Sequence, residues 1–154
     1  ERRTVPVQSW YLDVSLLAGY YGSERAYHHT APISAVFGLA EGLRLIEEEG
    51  LEERIRRHQA AGRLLVDRLA DFGFTALVDE AVRLPQLTTA VLPEPVRDRE
   101  GAIRRRLLED HDIEVGGGLG PLAGRIWRIG LMGENARPES IERLAAALAD
   151  VVPG

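Results

Sequence analysis

Apolar residues recur with helical period over two long stretches. Val36, Leu39, Ala40, Leu43 and Ile46 mark one face across residues 33–49. Glu47-Glu48-Glu49 ends that face and Gly50 breaks it. Over 51–71, Leu51, Ile55, His58, Gly62, Leu65 and Leu69, continued by Phe72, form a single stripe in steps of four and three. His58 lies on the stripe and reads as a packing histidine. Arg54, Arg56, Arg57, Arg63 and Arg68 lie mostly off it and read as solvated charges. Gly73 closes this helix. Residues 74–78 then read as a short strand, and residues 86–92, rich in Thr and Val, as a better one. Pro93-Glu94-Pro95 stops it. The pattern predicts a helix from Asp98, as N-cap, to Asp110, with Ile103 and Leu107 inward. A short strand at 113–115, a strong one at 125–131 and a helix at 138–152 complete the chain. Pro138 suits the first turn of that last helix. Residues 1–24 are the least regular, with one short helix expected over 13–20 and a turn at Gly22-Ser23.

This order, helices followed by β-β-α-β-β-α, predicts a small α+β domain in which a short sheet is covered by helices. There is no internal repeat and no low-complexity segment. A chain of 154 residues is long enough for a genuine core. Cysteine is absent, which excludes disulfides and thiolate metal sites. The net charge of −5 argues against a nucleic-acid partner. No apolar run approaches the length of a membrane span. Glu1-Arg2-Arg3-Thr4-Val5-Pro6 leads into no apolar segment, which reads against a secretory signal, and the missing initiator methionine suggests a piece of something longer. All 19 basic residues are arginine, so no lysine can bond covalently to a carbonyl cofactor.

Candidate chemistry centres on the strand Arg125-Ile126-Trp127-Arg128-Ile129-Gly130-Leu131. Strand alternation puts Trp127, Ile129 and Leu131 on a core face and Ile126, Arg128 and Gly130 on the other. An arginine among apolar neighbours, with open space beside Gly130, suits bidentate capture of a carboxylate. A structural ion pair with an acid such as Glu114 fits the same position. The run Gly116-Gly117-Gly118-Leu119-Gly120 lacks the lysine of a phosphate-binding loop and reads as a turn of close backbone approach. Tyr27 and Thr30 place two hydroxyls in a loop that leads into a helix, with Thr30 as its possible N-cap and Pro32 in its first turn. The adjacent His28 and His29 point apart on any regular backbone and lack a third ligand, so no metal site is expected.

Six stretches occur together in order: Ser9-Trp10-Tyr11-Leu12-Asp13, Tyr27-His28-His29-Thr30-Ala31-Pro32, Glu49-Gly50-Leu51-Glu52, Arg83-Leu84-Pro85, Gly117-Gly118-Leu119-Gly120 and Arg128-Ile129-Gly130-Leu131-Met132-Gly133. Across essentially the whole chain they resemble the C-terminal part of class V, fold-type I aminotransferases of the alanine–glyoxylate, serine–pyruvate and serine–glyoxylate kind. The resemblance implies a dimeric, cytoplasmic enzyme that uses pyridoxal 5'-phosphate. It would move an amino group from an alanine- or serine-type amino acid to a 2-oxo acid such as glyoxylate or pyruvate. Residues 1–30 would then be a trailing large-domain segment carrying the cofactor-phosphate loop, and residues 31–154 the C-terminal small domain with its long N-terminal helices. Arg128 would hold the substrate α-carboxylate. Tyr27 and Thr30 would reach the cofactor phosphate of the other subunit. No residue here matches the catalytic lysine, so this chain alone is expected to be inactive and the N-terminal large domain to lie outside it. The other reading is a free-standing, non-catalytic α+β module that binds a carboxylate or a partner protein.

Overall fold

A computed structural model describes residues 4–152. Glu1-Arg2-Arg3, part of the stretch weighed above as a leader, lies outside the described residues. The chain divides into two compact units, 1–45 and 46–154.

The first unit holds helix α1 (Val14–Tyr21) and most of α2 (Ile33–Glu49). Asp13 caps α1 through its side chain, which accepts from Ser15 N at 2.9 Å. Neither helix carries a buried residue. The predicted apolar face of α2 is therefore real but bare: Val36, Leu39 and Leu43 are exposed, and Phe37 beside them is 71% exposed. Pro32 stands just before α2 rather than within its first turn.

The second unit contains α3 (Leu51–Ala70), β1 (Thr75–Ala76), β2 (Leu87–Val91), α4 (Glu94–Arg97), α5 (Glu100–His111), β3 (Gly116–Gly117), β4 (Ile126–Gly130) and α6 (Pro138–Val151). The strands form one sheet in the order β1-β2-β4-β3, every neighbouring pair antiparallel. This is the α+β architecture expected. The core lies between one sheet face and three helices: Leu65 and Leu69 of α3, Ile103 and Leu107 of α5, and Ile141, Leu144 and Leu148 of α6 pack with Ala90, Trp127 and Ile129. Trp127 is fully buried, its ring 5.2 Å from that of Phe74. Its indole N–H donates to Glu100 Oε2 at 3.3 Å. The α3 stripe is buried from His58 to Leu69, whereas Leu51 and Ile55 at its start are exposed.

Four expectations are corrected. The helix expected from Asp98 forms as α5, but Asp98 does not cap it: Asp98 ends the separate helix α4, and α5 starts after Arg99 without a side-chain cap. Pro95 sits in the first turn of α4, where its missing N–H costs nothing. The strand expected at 113–115 forms instead at Gly116–Gly117. Asp112, at φ 53°, ends α5 in a left-handed turn, and Ile113 N bonds back to Leu107 O at 2.9 Å, so those residues still belong to the helix exit. Ile126, expected on the open face, is buried because the turn after β3 folds over it. Arg54 and Arg57 are not solvated charges: their side chains are only 20% and 16% exposed, and both bind Glu49.

Candidate functional site

β4 lies between β2 and β3, with Arg128 opposite Thr89 on one side and Gly116 on the other. Alternation leaves Arg128 and Gly130 on the open sheet face while Trp127 and Ile129 are buried. The guanidinium is therefore exposed rather than buried. Its Nε donates to Gly117 O at 2.9 Å, which fixes the plane of the fork. Among the described residues no carboxylate pairs with Arg128, Glu114 included. The structural ion pair is thus absent. The outer edge of the guanidinium remains available for a carboxylate ligand.

Glycines make the room around it. A β-carbon on Gly116 would come within 3.4 Å of Arg128 Nη2. One on Gly130 would meet the Met132 methyl at 3.4 Å. One on Gly118 would lie 2.0 Å from Leu122 O, a contact no side chain tolerates. The glycine run is therefore a close-approach turn, as its missing lysine suggested, and it carries the carbonyl that orients Arg128.

Tyr27 and Thr30 belong to the first unit. Their hydroxyls meet at 3.1 Å, so the loop presents them as a pair. Tyr27 is 76% exposed. An aromatic cluster supports the loop from behind. His28 is buried and stacked on Trp10 at 4.0 Å, and Tyr20 packs against Tyr27 and His29. His28 Nε2 lies 2.9 Å from Trp10 O, and a carbonyl only accepts, so this nitrogen donates. In a neutral His28 the other nitrogen then accepts from His29 Nδ1, 2.8 Å away. The two histidines bind each other rather than a shared ion, and no group of three metal-ligating side chains occurs among the described residues.

Periodicity gave no signal for a polar network at the junction of α2 and α3. Glu49 accepts from Arg57 Nε at 2.5 Å and from Arg54 Nη1 at 2.6 Å. Gly50, at φ 83°, makes the sharp turn that brings Glu49 back over α3. Arg57, chiefly, holds the Glu49 carboxyl down at about 2. Glu100 is lowered in the same way, first by Arg104 and then by the Trp127 N–H. The available clue was the breaking glycine that follows a run of glutamates and precedes, by one turn of α3, a run of arginines.

Known proteins share this arrangement of elements. No family model matches the chain. The rabbit (Oryctolagus cuniculus) alanine–glyoxylate aminotransferase is 42% identical over 155 residues, which span 98% of this chain and 39% of the relative. The Bacillus subtilis (strain 168) (S)-ureidoglycine–glyoxylate transaminase is 37% identical over 147 residues, 96% of this chain and 35% of the relative. The crystal structure of alanine–glyoxylate aminotransferase from Nostoc sp. superposes with a TM-score of 0.92 at 51% identity, covering 99% of this chain and 40% of that one. The chain is homologous to the C-terminal portion of class V aminotransferases. It spans about two fifths of the length of those class V relatives.

Proposed function

We propose that this chain is the C-terminal part of a pyridoxal-phosphate-dependent aminotransferase that moves an amino group from an alanine- or serine-type amino acid to glyoxylate or pyruvate. The observation that carries this reading is Arg128, a fork oriented by Gly117 O on an open face with no internal carboxylate partner among the described residues. Two parallel N–H groups match the α-carboxylate shared by amino donor and oxo-acid acceptor, so one arginine serves both half-reactions.

The paired hydroxyls of Tyr27 and Thr30 suit a phosphate, and in this reading they hold the cofactor phosphate of a second subunit. When bound, the cofactor supplies the electron sink that amino transfer requires. This chain contains no lysine to anchor it. The anchoring lysine is assigned to a large domain preceding residues 1–30, with residues 31–154 as the small domain of a cytoplasmic homodimer. The exposed apolar residues of α1 and α2, among them Val14, Leu16, Val36 and Phe37, support a protein cover over the first unit.

The test is Arg128→Ala in the complete enzyme. Losing a bidentate charge pair should lower kcat/KM for amino and oxo acids by on the order of a hundredfold or more. Cofactor affinity should hold. Arg128→Lys should remain impaired, because a point charge cannot replace the fork. Unchanged turnover in Arg128→Ala would reject the clamp.

A further inference from the structure

Past Arg128, β4 loses one of its two neighbours. β3 pairs only with Trp127 and Arg128, so Ile129 and Gly130 are held in the ladder by β2 alone. Leu131 N then donates to Gln86 O at 2.9 Å, and the chain turns at Gly133, φ 58°, toward α6.

That turn is fastened to α3 by three hydrogen bonds. Gly133 N donates to His58 Nε2 at 3.2 Å. Arg57 Nη1 donates to Gly133 O and to Ala136 O, each at 2.9 Å. The opposite nitrogen of the imidazole, Nδ1, lies 2.7 Å from Arg54 O. A carbonyl can only accept and an amide N–H can only donate, so His58 must carry its proton on Nδ1 and be neutral. Glu49 in turn locks Arg57 and Arg54 in place. His58 is buried, so Gly133 N–H has no ready substitute acceptor there.

We propose that His58, supported by Arg57, is a positioning residue for Arg128: it clamps the turn that ends β4 and so holds the arginine's strand in register where β3 no longer does. The inference rests on the reading of Arg128 as the carboxylate clamp.

The experiment uses the complete, cofactor-loaded aminotransferase and compares wild type, His58→Leu, His58→Gln and Arg128→Ala. Steady-state kcat and KM for both substrates, cofactor affinity and thermal melting are measured at about pH 8. His58→Leu should raise KM for amino and oxo acid together by roughly tenfold, the scale of one lost hydrogen bond to a buried group, with cofactor affinity unchanged. Glutamine offers an acceptor and a donor without titrating. It should bring KM back toward wild type. A lower melting temperature with unchanged KM in His58→Leu would reduce the residue to a structural role and overturn the proposal. Should His58→Leu fail to fold, His58→Asn decides: its shorter side chain falls short of the Gly133 N–H, so a KM above that of His58→Gln supports the clamp, and one equal to it overturns the proposal. Arg128→Ala without effect would instead overturn the carboxylate reading, so the two failures are distinguishable.

Discussion

Replacing Gly118 by alanine is the sharpest structural test of the turn that orients Arg128. The added methyl would stand 2.0 Å from Leu122 O, 2.6 Å from Leu122 C and 2.9 Å from Ile126 Cγ1. The two closest atoms are backbone, so no rotamer change relieves the contact. Carbon and oxygen normally rest more than about 3 Å apart, so residues 118–122 must shift by roughly 1 Å or more. Leu122 O is also the acceptor for Arg125 N at 3.1 Å, a bond that the shift strains. Overpacking costs about 1–3 kcal/mol and a weakened hydrogen bond about 1 kcal/mol, so Gly118→Ala should destabilise the second unit by about 2–4 kcal/mol. Gly101, in α5, serves as the control, because a methyl added there would meet no described atom within 4 Å. Its replacement by alanine should stabilise by up to about 1 kcal/mol through helix propensity. Urea unfolding followed by tryptophan fluorescence reads both. The Trp10→Phe background leaves buried Trp127 as the sole reporter, in the same unit as both glycines. A fall in midpoint for Gly118→Ala at constant m is expected. Stabilities for the two variants within about 0.5 kcal/mol of each other, no more than ordinary surface scatter, would refute the close-approach argument.

The network around Glu49 should make stability depend on pH. Arg57 and Arg54 depress its carboxyl from 4.5 to about 2 in the folded chain, so this contribution is complete above 4.5 and disappears as pH falls toward 2. Urea midpoints across that interval should fall more steeply in wild type than in Glu49→Gln; parallel curves would contradict the assignment. Trp127→Ala should cost about 3–5 kcal/mol, since it removes the largest fully buried side chain, its packing on Phe74 and the indole bond to Glu100. Trp127→Phe should recover much of that loss. Calorimetric melting of the two variants would show it, and equal melting temperatures would count against this core.

Much of this protein follows from local order along the chain. The 3.6-residue period sets α2, α3 and α6 to within about a residue or two at their ends, because an amphipathic stripe and its breaking glycine are local features. Alternation sorted Trp127 and Ile129 from Arg128 and Gly130, because the strand period is a property of the backbone itself. Long-range contacts decided the rest. Gly116 and Gly117 became β3 because their missing side chains leave room for Arg128 on one face and Arg104 on the other, which a propensity scale counts against them. Ile126 is buried by a turn that begins eight residues before it. The helix with a marked apolar face but no buried residue, α2, shows the converse limit: the pattern states that a face is to be covered and is silent on what covers it. Arg57 and His58 meet the turn at Gly133 across more than seventy residues, and Arg128 is aimed by a carbonyl eleven residues away. An arginine in a strand and a histidine on a helical stripe are visible as residues. Their partners are chosen when the sheet closes against α3, because hydrogen bonds require donors and acceptors within about 3 Å, a distance that only the tertiary fold sets.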